Sequence, residues 1–232
     1  MGAGLLIAMP AYGGMVTLHS MFSIIDGVKY FETKLGIPCT FTGKLNEALI
    51  QRARNDMASK SWLKGFDKIL FIDSDVAFKQ EWIAKLWQHD KLVVGGSYPK
   101  KTLPIQINLN VKVEDQSLLK NKPHVDMQDL VNLKAERGDD KGLVKVLHVP
   151  TGFLMIDTKV FATLSKVVPA YDKTTFEFFP VTVNKQYGIL ESEDWGFCRL
   201  CTENGIDVHF DPDVICQHIG AFNYDPHLSW RV

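Results

Sequence analysis

The sequence predicts an α/β protein built on a Rossmann-like central sheet, mostly parallel, flanked by helices and mixed in strand direction in its C-terminal half. Three observations predict it. Short, continuously apolar runs such as residues 5–8 and 69–72 read as strands buried on both faces. Apolar residues at helical spacing follow each of them. Strand and helix patterns alternate three times before Tyr98, the arrangement that right-handed crossovers turn into parallel strands.

The first strand, "LLIA", enters a tight turn at "PAYGG". Leu18, Phe22, Ile25, Val28 and Leu35 then predict a helix with that apolar face, stopped by Gly36. "IPCTFT" alternates as a second strand, and Leu45, Leu49, Ala53 and Met57 predict a second helix starting at Leu45. "KILFID" is a third strand; Trp82, Ile83, Leu86 and Trp87 mark a helix that leads to the strand "LVVGG". Periodicity then fades, and residues 110–142, with "KNKPH" and "ERGDDKG", read as a polar insertion within one domain spanning 1–232. Order returns at "VLHVPTGFLMID", an apolar segment broken by Pro150 and Gly152. A helix over 158–166, a strand near "FEFFP", a helix over 193–204 capped by Gly205, and the strand "IDVHF" complete the expected elements.

Composition narrows the partners. Lys plus Arg (26) nearly balance Asp plus Glu (27), so no electrostatic argument favours nucleic acid. The run "LLIAMPAY" is interrupted by proline, too short to span a bilayer and preceded by no basic stretch. The expectation is therefore no membrane insertion and a cytoplasmic location, the host cytoplasm for a viral protein. Four cysteines argue against a disulfide framework. Cys198, Cys201, Cys216 and His218 match a zinc pattern on paper, but the spacing of the first two equally places two small apolar side chains on one helical face.

The stretch "KILFIDSDVAF" carries the chemistry. A buried strand ends on Asp73 and Asp75, which face the same side if the backbone stays extended. A divalent cation would relieve their repulsion, and carboxylate oxygens suit Mg2+ or Mn2+. The plainer reading makes the two aspartates a turn and the cap of the next helix.

Further residues match one family in order. "LLIAMPAYGG", Ala53-Arg54-Asn55, "FIDSD", "VPTGFLMID", "ESEDWGFCRL" and "CQHIG" together resemble the GT-A nucleotide-sugar glycosyltransferases, over most of the chain outside the insertion. Among them the sequence is most similar to small domains encoded by large DNA viruses and phages, including a chlorella-virus rhamnosyltransferase domain. The resemblance implies transfer of a sugar from a UDP- or GDP-sugar donor, UDP-rhamnose among the candidates, to a hydroxyl of a glycan or glycoprotein acceptor. Pro10, Ala11, Tyr12, Arg54 and Asp73 would receive the nucleotide, with Tyr12 stacking on the base and Arg54 reaching phosphate or base. Asp75 would ligate Mn2+, or Mg2+, directly, with Asp73 in support and His218 as a further ligand; the imidazole favours Mn2+. Gly96, Tyr98, Thr151, Gly152 and Trp195 would line the donor and acceptor pocket, and Trp230 offers another aromatic face. For an inverting reaction Asp194, with Glu193 as substitute, would be the base that deprotonates the acceptor. The same residues have structural readings: Glu193 and Asp194 complement a helix dipole, and His218 and Trp195 fit a core.

Two alternatives stay open. A haloacid-dehalogenase-like, Mg2+-dependent phosphatase would use Asp73 as nucleophile, although there the motif normally opens the first strand. A carbohydrate-binding module without turnover would not need Asp194.

Overall fold

In the computed structural model, residues 4–109, 125–185 and 188–226 are described. The elements in chain order are β1 (Leu5–Ala11), α1 (Leu18–Leu35), β2 (Cys39–Leu45), α2 (Ile50–Leu63), β3 (Lys68–Ile72), β4 (Val76–Ala77), α3 (Trp82–Gln88), β5 (Val93–Ser97), α4 (Met127–Arg137), β6 (Val144–Lys145), β7 (Phe153–Asp157), α5 (Lys159–Leu164), β8 (Thr182–Asn184), β9 (Ile189–Glu191), α6 (Glu193–Glu203), β10 (Val208–Ile215), β11 (Gln217–Ile219) and β12 (Asn223–Tyr224).

Seven strands form the central sheet in the order β2-β1-β3-β7-β5-β10-β6. β1 pairs parallel with β2 and β3, and β5 pairs parallel with β10, while β7 runs antiparallel between β3 and β5. The mixed C-terminal half thus enters the middle of the sheet. β7 separates two strands that sequence order alone would place side by side.

Both faces of the sheet's centre are covered, which is why β1, β3, β5 and β7 are buried along almost their whole length. Leu5, Ile7 and Met9 of β1 join Ile24, Phe31, Ile83 and Leu86 in one core, under α1 and α3. Leu6 and Ala8 point the other way, into a core with Met57, Phe161 and Phe197 from α2, α5 and α6. This is the helix-flanked α/β sheet that the sequence predicts.

Three expectations need correction. The buried face of α1 is Ser20, Ile24, Gly27 and Phe31, whereas Leu18, Phe22 and Ile25 are exposed. The reason is close packing: a Cβ on Gly27 would stand 2.9 Å from Ile83 and 3.0 Å from Phe78, so this face alone lets α1 approach so closely. Second, Leu45 ends β2 in register with Ala11, and α2 begins only at Ile50. Third, the segment "FEFFP" is not a strand. Its backbone groups are instead held by α2 side chains, Phe179 N–H by Asn55 Oδ1 (2.7 Å) and Phe176 N–H by Ser59 Oγ (3.0 Å), which frees the chain from needing a ladder.

Residues 110–124 of the expected insertion lie outside the described residues, as does Trp230. The remainder is not irregular: Asp126 caps α4 with a capping box, and Leu130 and Leu133 are buried in the core that faces α2. Cys198 and Cys201 are likewise fully buried in that core, and burial pushes the Cys198 thiol up to about 12.

Candidate functional site

β1 and β3 run parallel, so their carboxyl ends open at the same edge of the sheet. Pro10 and Ala11 finish β1, and Tyr12 follows with its ring largely exposed. The loop after β1 is tied to the loop after β3: Thr17 N–H donates to Ser74 carbonyl at 2.9 Å, and Thr17 caps α1. At that edge the chain turns at once after Asp73, with Val76 N–H donating to Asp73 carbonyl at 3.2 Å.

The turn decides what the paired acids do. The backbone does not stay extended, so Asp73 and Asp75 do not share one partner. Asp73 Oδ1 accepts from Arg54 Nη2 at 2.8 Å, and its Oδ2 lies 3.4 Å from the Tyr98 hydroxyl. Asp75 Oδ2 pairs with Lys101 Nζ at 2.5 Å, and its Oδ1 stands 3.5 Å from His218 Nε2. Each carboxylate has its own cationic neighbour, and their repulsion is met separately.

Arg54 is the hub. It projects from the buried side of α2, is 4% exposed, and bridges Asp73 to Glu193 at the start of α6. Burial works against its charge, but Asp73 and Glu193 more than compensate. Burial and the adjacent Asp194 raise the Glu193 carboxyl against the pull of Arg54. Arg54 Nε has no hydrogen-bond partner among the described residues.

Asp194 behaves oppositely. Burial would raise its carboxyl, yet His148 and Ser192 hold it well below the usual carboxylate range. His148 Nε2 lies 3.0 Å from Asp194 Oδ2, and the His148 ring stacks on Trp195 with centroids 4.6 Å apart. Ser192 Oγ donates to Asp194 Oδ1. One face of Trp195 is therefore covered by protein.

Gly152 marks a close approach within the cluster. A Cβ there would stand 2.5 Å from Asp73 Oδ2 and 2.6 Å from the Tyr98 hydroxyl, so only glycine lets the segment before β7 pass. Asp73 N–H donates to the Gly152 carbonyl at 3.1 Å. Thr151 Oγ1 is buried beside it without a partner among the described residues. Gly96 serves another end, because a Cβ there would meet Val214 of β10 at 2.4 Å. Its missing side chain lets β5 pack closely against β10.

A divalent cation is the group the sequence implies here. His218 Nδ1 lies 2.8 Å from the Pro99 carbonyl, which only accepts, so Nδ1 carries a proton and the ring is held with Nε2 toward Asp75. One carboxylate and one oriented imidazole are a chemically suitable pair. Among the described residues no group of three or more His, Cys, Asp or Glu side chains gathers to hold a metal, and Lys101 holds the Asp75 oxygen opposite His218.

Arg54, Asp73, Tyr98, Gly152, Glu193 and Asp194 are thus brought into one connected cluster, with Asp75 and His218 one turn away. Tyr12 stands apart in solvent. The sequence reading missed His148 and Lys101. His148 lies four residues before the quoted Gly152, but a lone histidine in an apolar run carries no signal of its role. A separate cleft of about 260 Å3, lined by Phe22, Phe78, Trp82 and Ile215 among others, contains none of the cluster's residues.

No family model matches the chain, and no curated protein matches it by sequence. Solved structures do match by fold. A197 from STIV is 14% identical with a TM-score of 0.52, over 93% of this chain and 85% of that one. GalNAc-T7, solved with UDP, GalNAc and Mn2+, is 11% identical with a TM-score of 0.56, over 95% of this chain but only 44% of that one. At these identities the likeness is one of fold. Among the described residues no helix is long and apolar enough to cross a membrane.

Proposed function

We propose that this chain is a glycosyltransferase that moves a sugar from a nucleoside-diphosphate donor to an acceptor hydroxyl. The observation that carries the proposal is the buried Arg54 bridge between Asp73 and Glu193 at the carboxyl ends of the parallel strands. In open α/β sheets ligands bind at that edge, and the bridge fixes Asp73 there in one orientation, able to accept from ligand hydroxyls. UDP and Mn2+ in GalNAc-T7, a protein of the same fold, make a uridine donor and Mn2+ the first choice.

Each group has a part in the proposed reaction. Pro10, Ala11 and Tyr12 border the nucleotide, and Asp73 is held by Arg54 for the ribose. Asp75 and His218 would hold the cation. When bound, it neutralises charge on the departing diphosphate. Asp194, ionised and at the start of α6, is the candidate base for an inverting transfer to a glycan. Thr151, Gly152, Tyr98 and Trp195 border the space between them.

Asp73, the nucleophile of the phosphatase reading, has one oxygen on Arg54 and the other beside Tyr98, which suits it poorly for attack. Thermal unfolding with UDP, GDP and dTDP, each with and without Mn2+, tests the proposal, because a ligand of the folded state raises the midpoint. A rise that needs one nucleotide together with the metal, and that Asp75→Asn abolishes, is the expected result. No rise with any nucleotide would overturn it.

A further inference from the structure

His148 belongs to no motif, yet it sits beside the candidate base. It is 2% exposed, lies in the segment between β6 and β7, and stacks on Trp195 with an interplanar angle of 7°. Its Nε2 is 3.0 Å from Asp194 Oδ2 but makes no aligned hydrogen bond to it or to any other described residue. A buried ring nitrogen without an aligned partner is uncommon and calls for an explanation. Here the stack on Trp195, not the carboxylate, fixes the ring, and the charge-bearing atom is left facing Asp194.

The two oxygens of Asp194 differ. Oδ1 accepts from Ser192 Oγ and from the Trp195 N–H at 2.9 Å, so it is satisfied by its own helix start. Oδ2 faces His148. The other titratable or charged groups that act on this carboxylate or feel it are Arg54 from α2, Glu193 and Cys198 on α6, and Tyr98 after β5. Among these groups only His148 is within ion-pair distance of it.

We propose that His148 is a positioning residue for Asp194: held flat on Trp195, it orients the second carboxylate oxygen and, by its own protonation, sets how strongly that carboxylate accepts a proton. The catalytic half of this rests on the transferase reading. In the transfer, the acceptor hydroxyl's proton passes to Asp194 as its oxygen bonds to the sugar, and the diphosphate leaves with the electron pair of the broken bond. A neutral imidazole can then take that proton from Asp194, and the proton leaves to solvent through the Asp194 carboxylate, which is 16% exposed. An imidazolium cannot, and its charge makes Asp194 a weaker base. Transfer therefore rises as His148 loses its proton.

Two measurements test it. Histidine resonances are followed by NMR against pH in the wild type, in Asp194→Asn and in His148→Gln, where the missing signal assigns His148. Asp194→Asn is expected to lower the His148 titration midpoint by on the order of one unit, since it removes a neighbouring negative charge; an unmoved midpoint overturns the proposal. In parallel, nucleotide release from a panel of UDP-, GDP- and dTDP-sugars is measured against pH. His148→Gln is expected to lower kcat/KM on the order of tenfold at high pH and to flatten its rise with pH, with donor KM little changed. An unchanged profile in His148→Gln overturns the proposal. A wild type that turns over no donor, while Asp194→Asn still moves the His148 midpoint, removes the transferase reading and leaves the coupling standing. Should His148→Gln fail to fold, Asp194→Asn, which removes the charge at nearly constant side-chain size, decides the coupling.

Discussion

Arg54 Nη2 stands 2.8 Å from Asp73 Oδ1 and thereby ties the buried side of α2 to the carboxyl end of β3. Its other nitrogen reaches Glu193, so one guanidinium joins three elements that are distant in sequence. Removing it would leave two largely buried carboxylates facing each other.

Arg54→Ala is accordingly expected to destabilise the fold by about 3–5 kcal/mol, the usual penalty for breaking a buried pair from one side. Arg54→Lys keeps the charge but not the fork, and is expected to recover only part of the loss. Urea unfolding of the three proteins checks both, and equal stability in all of them would contradict the bridge.

Gly152→Ala puts a methyl group 2.5 Å from Asp73 Oδ2 and 2.6 Å from a buried tyrosine hydroxyl. The Asp73 side chain can give way, but the Tyr98 ring is packed against His218 at 4.8 Å and has less room. A loss of about 1–3 kcal/mol is expected, as for other overpacked sites, with nucleotide-induced stabilisation lost as well. Thermal unfolding with and without nucleotide separates the two effects.

Asp75 sets a pH dependence. Burial raises its carboxyl, but His218 and Lys101 outweigh that and lower it to about 2. A group whose pKa is depressed by folding stabilises the protein above its unfolded value, near 3.9, and loses that contribution as pH falls toward 2. Asp75→Asn should flatten the stability curve between about pH 4 and pH 2, and leave its shape unchanged above pH 5. Chemical unfolding across that range is the measurement.

Lys101 occupies one oxygen of the acid proposed to bind the metal. Lys101→Met should therefore strengthen Mn2+ binding on the order of several-fold, by removing a competing cation, while His218→Ala should weaken it. Free Mn2+ read by electron paramagnetic resonance reports both without requiring turnover. Weaker binding in Lys101→Met would mean that the lysine supports the site instead of competing for it.

Much of the fold was legible because burial on both faces writes itself into consecutive residues. β1, β3 and β5 are buried throughout and carry short apolar runs, and the helix stop at Gly36 follows from its left-handed conformation at φ 66°. The face of α1 was not legible, since Leu18, Phe22 and Ile25 make as good a stripe as the buried one. Nor was the "FEFFP" segment, whose aromatic run mimics a strand while Asn55 and Ser59 take its hydrogen bonds. Arg54, Asp73 and Glu193 could be named singly from motifs, but not their connection.

The sequence by itself determined the α/β alternation, the apolar strands and the presence of two acids at the end of the third one, because these depend on residue type and local spacing. Only the tertiary structure decided that β7 enters the sheet antiparallel between β3 and β5. Only it decided that Asp73 and Asp75 turn to different cations, and that His148 faces Asp194 across 46 positions of chain. Such pairings are set by the packing of distant segments, where a buried charge must find its partner wherever the fold brings one within reach.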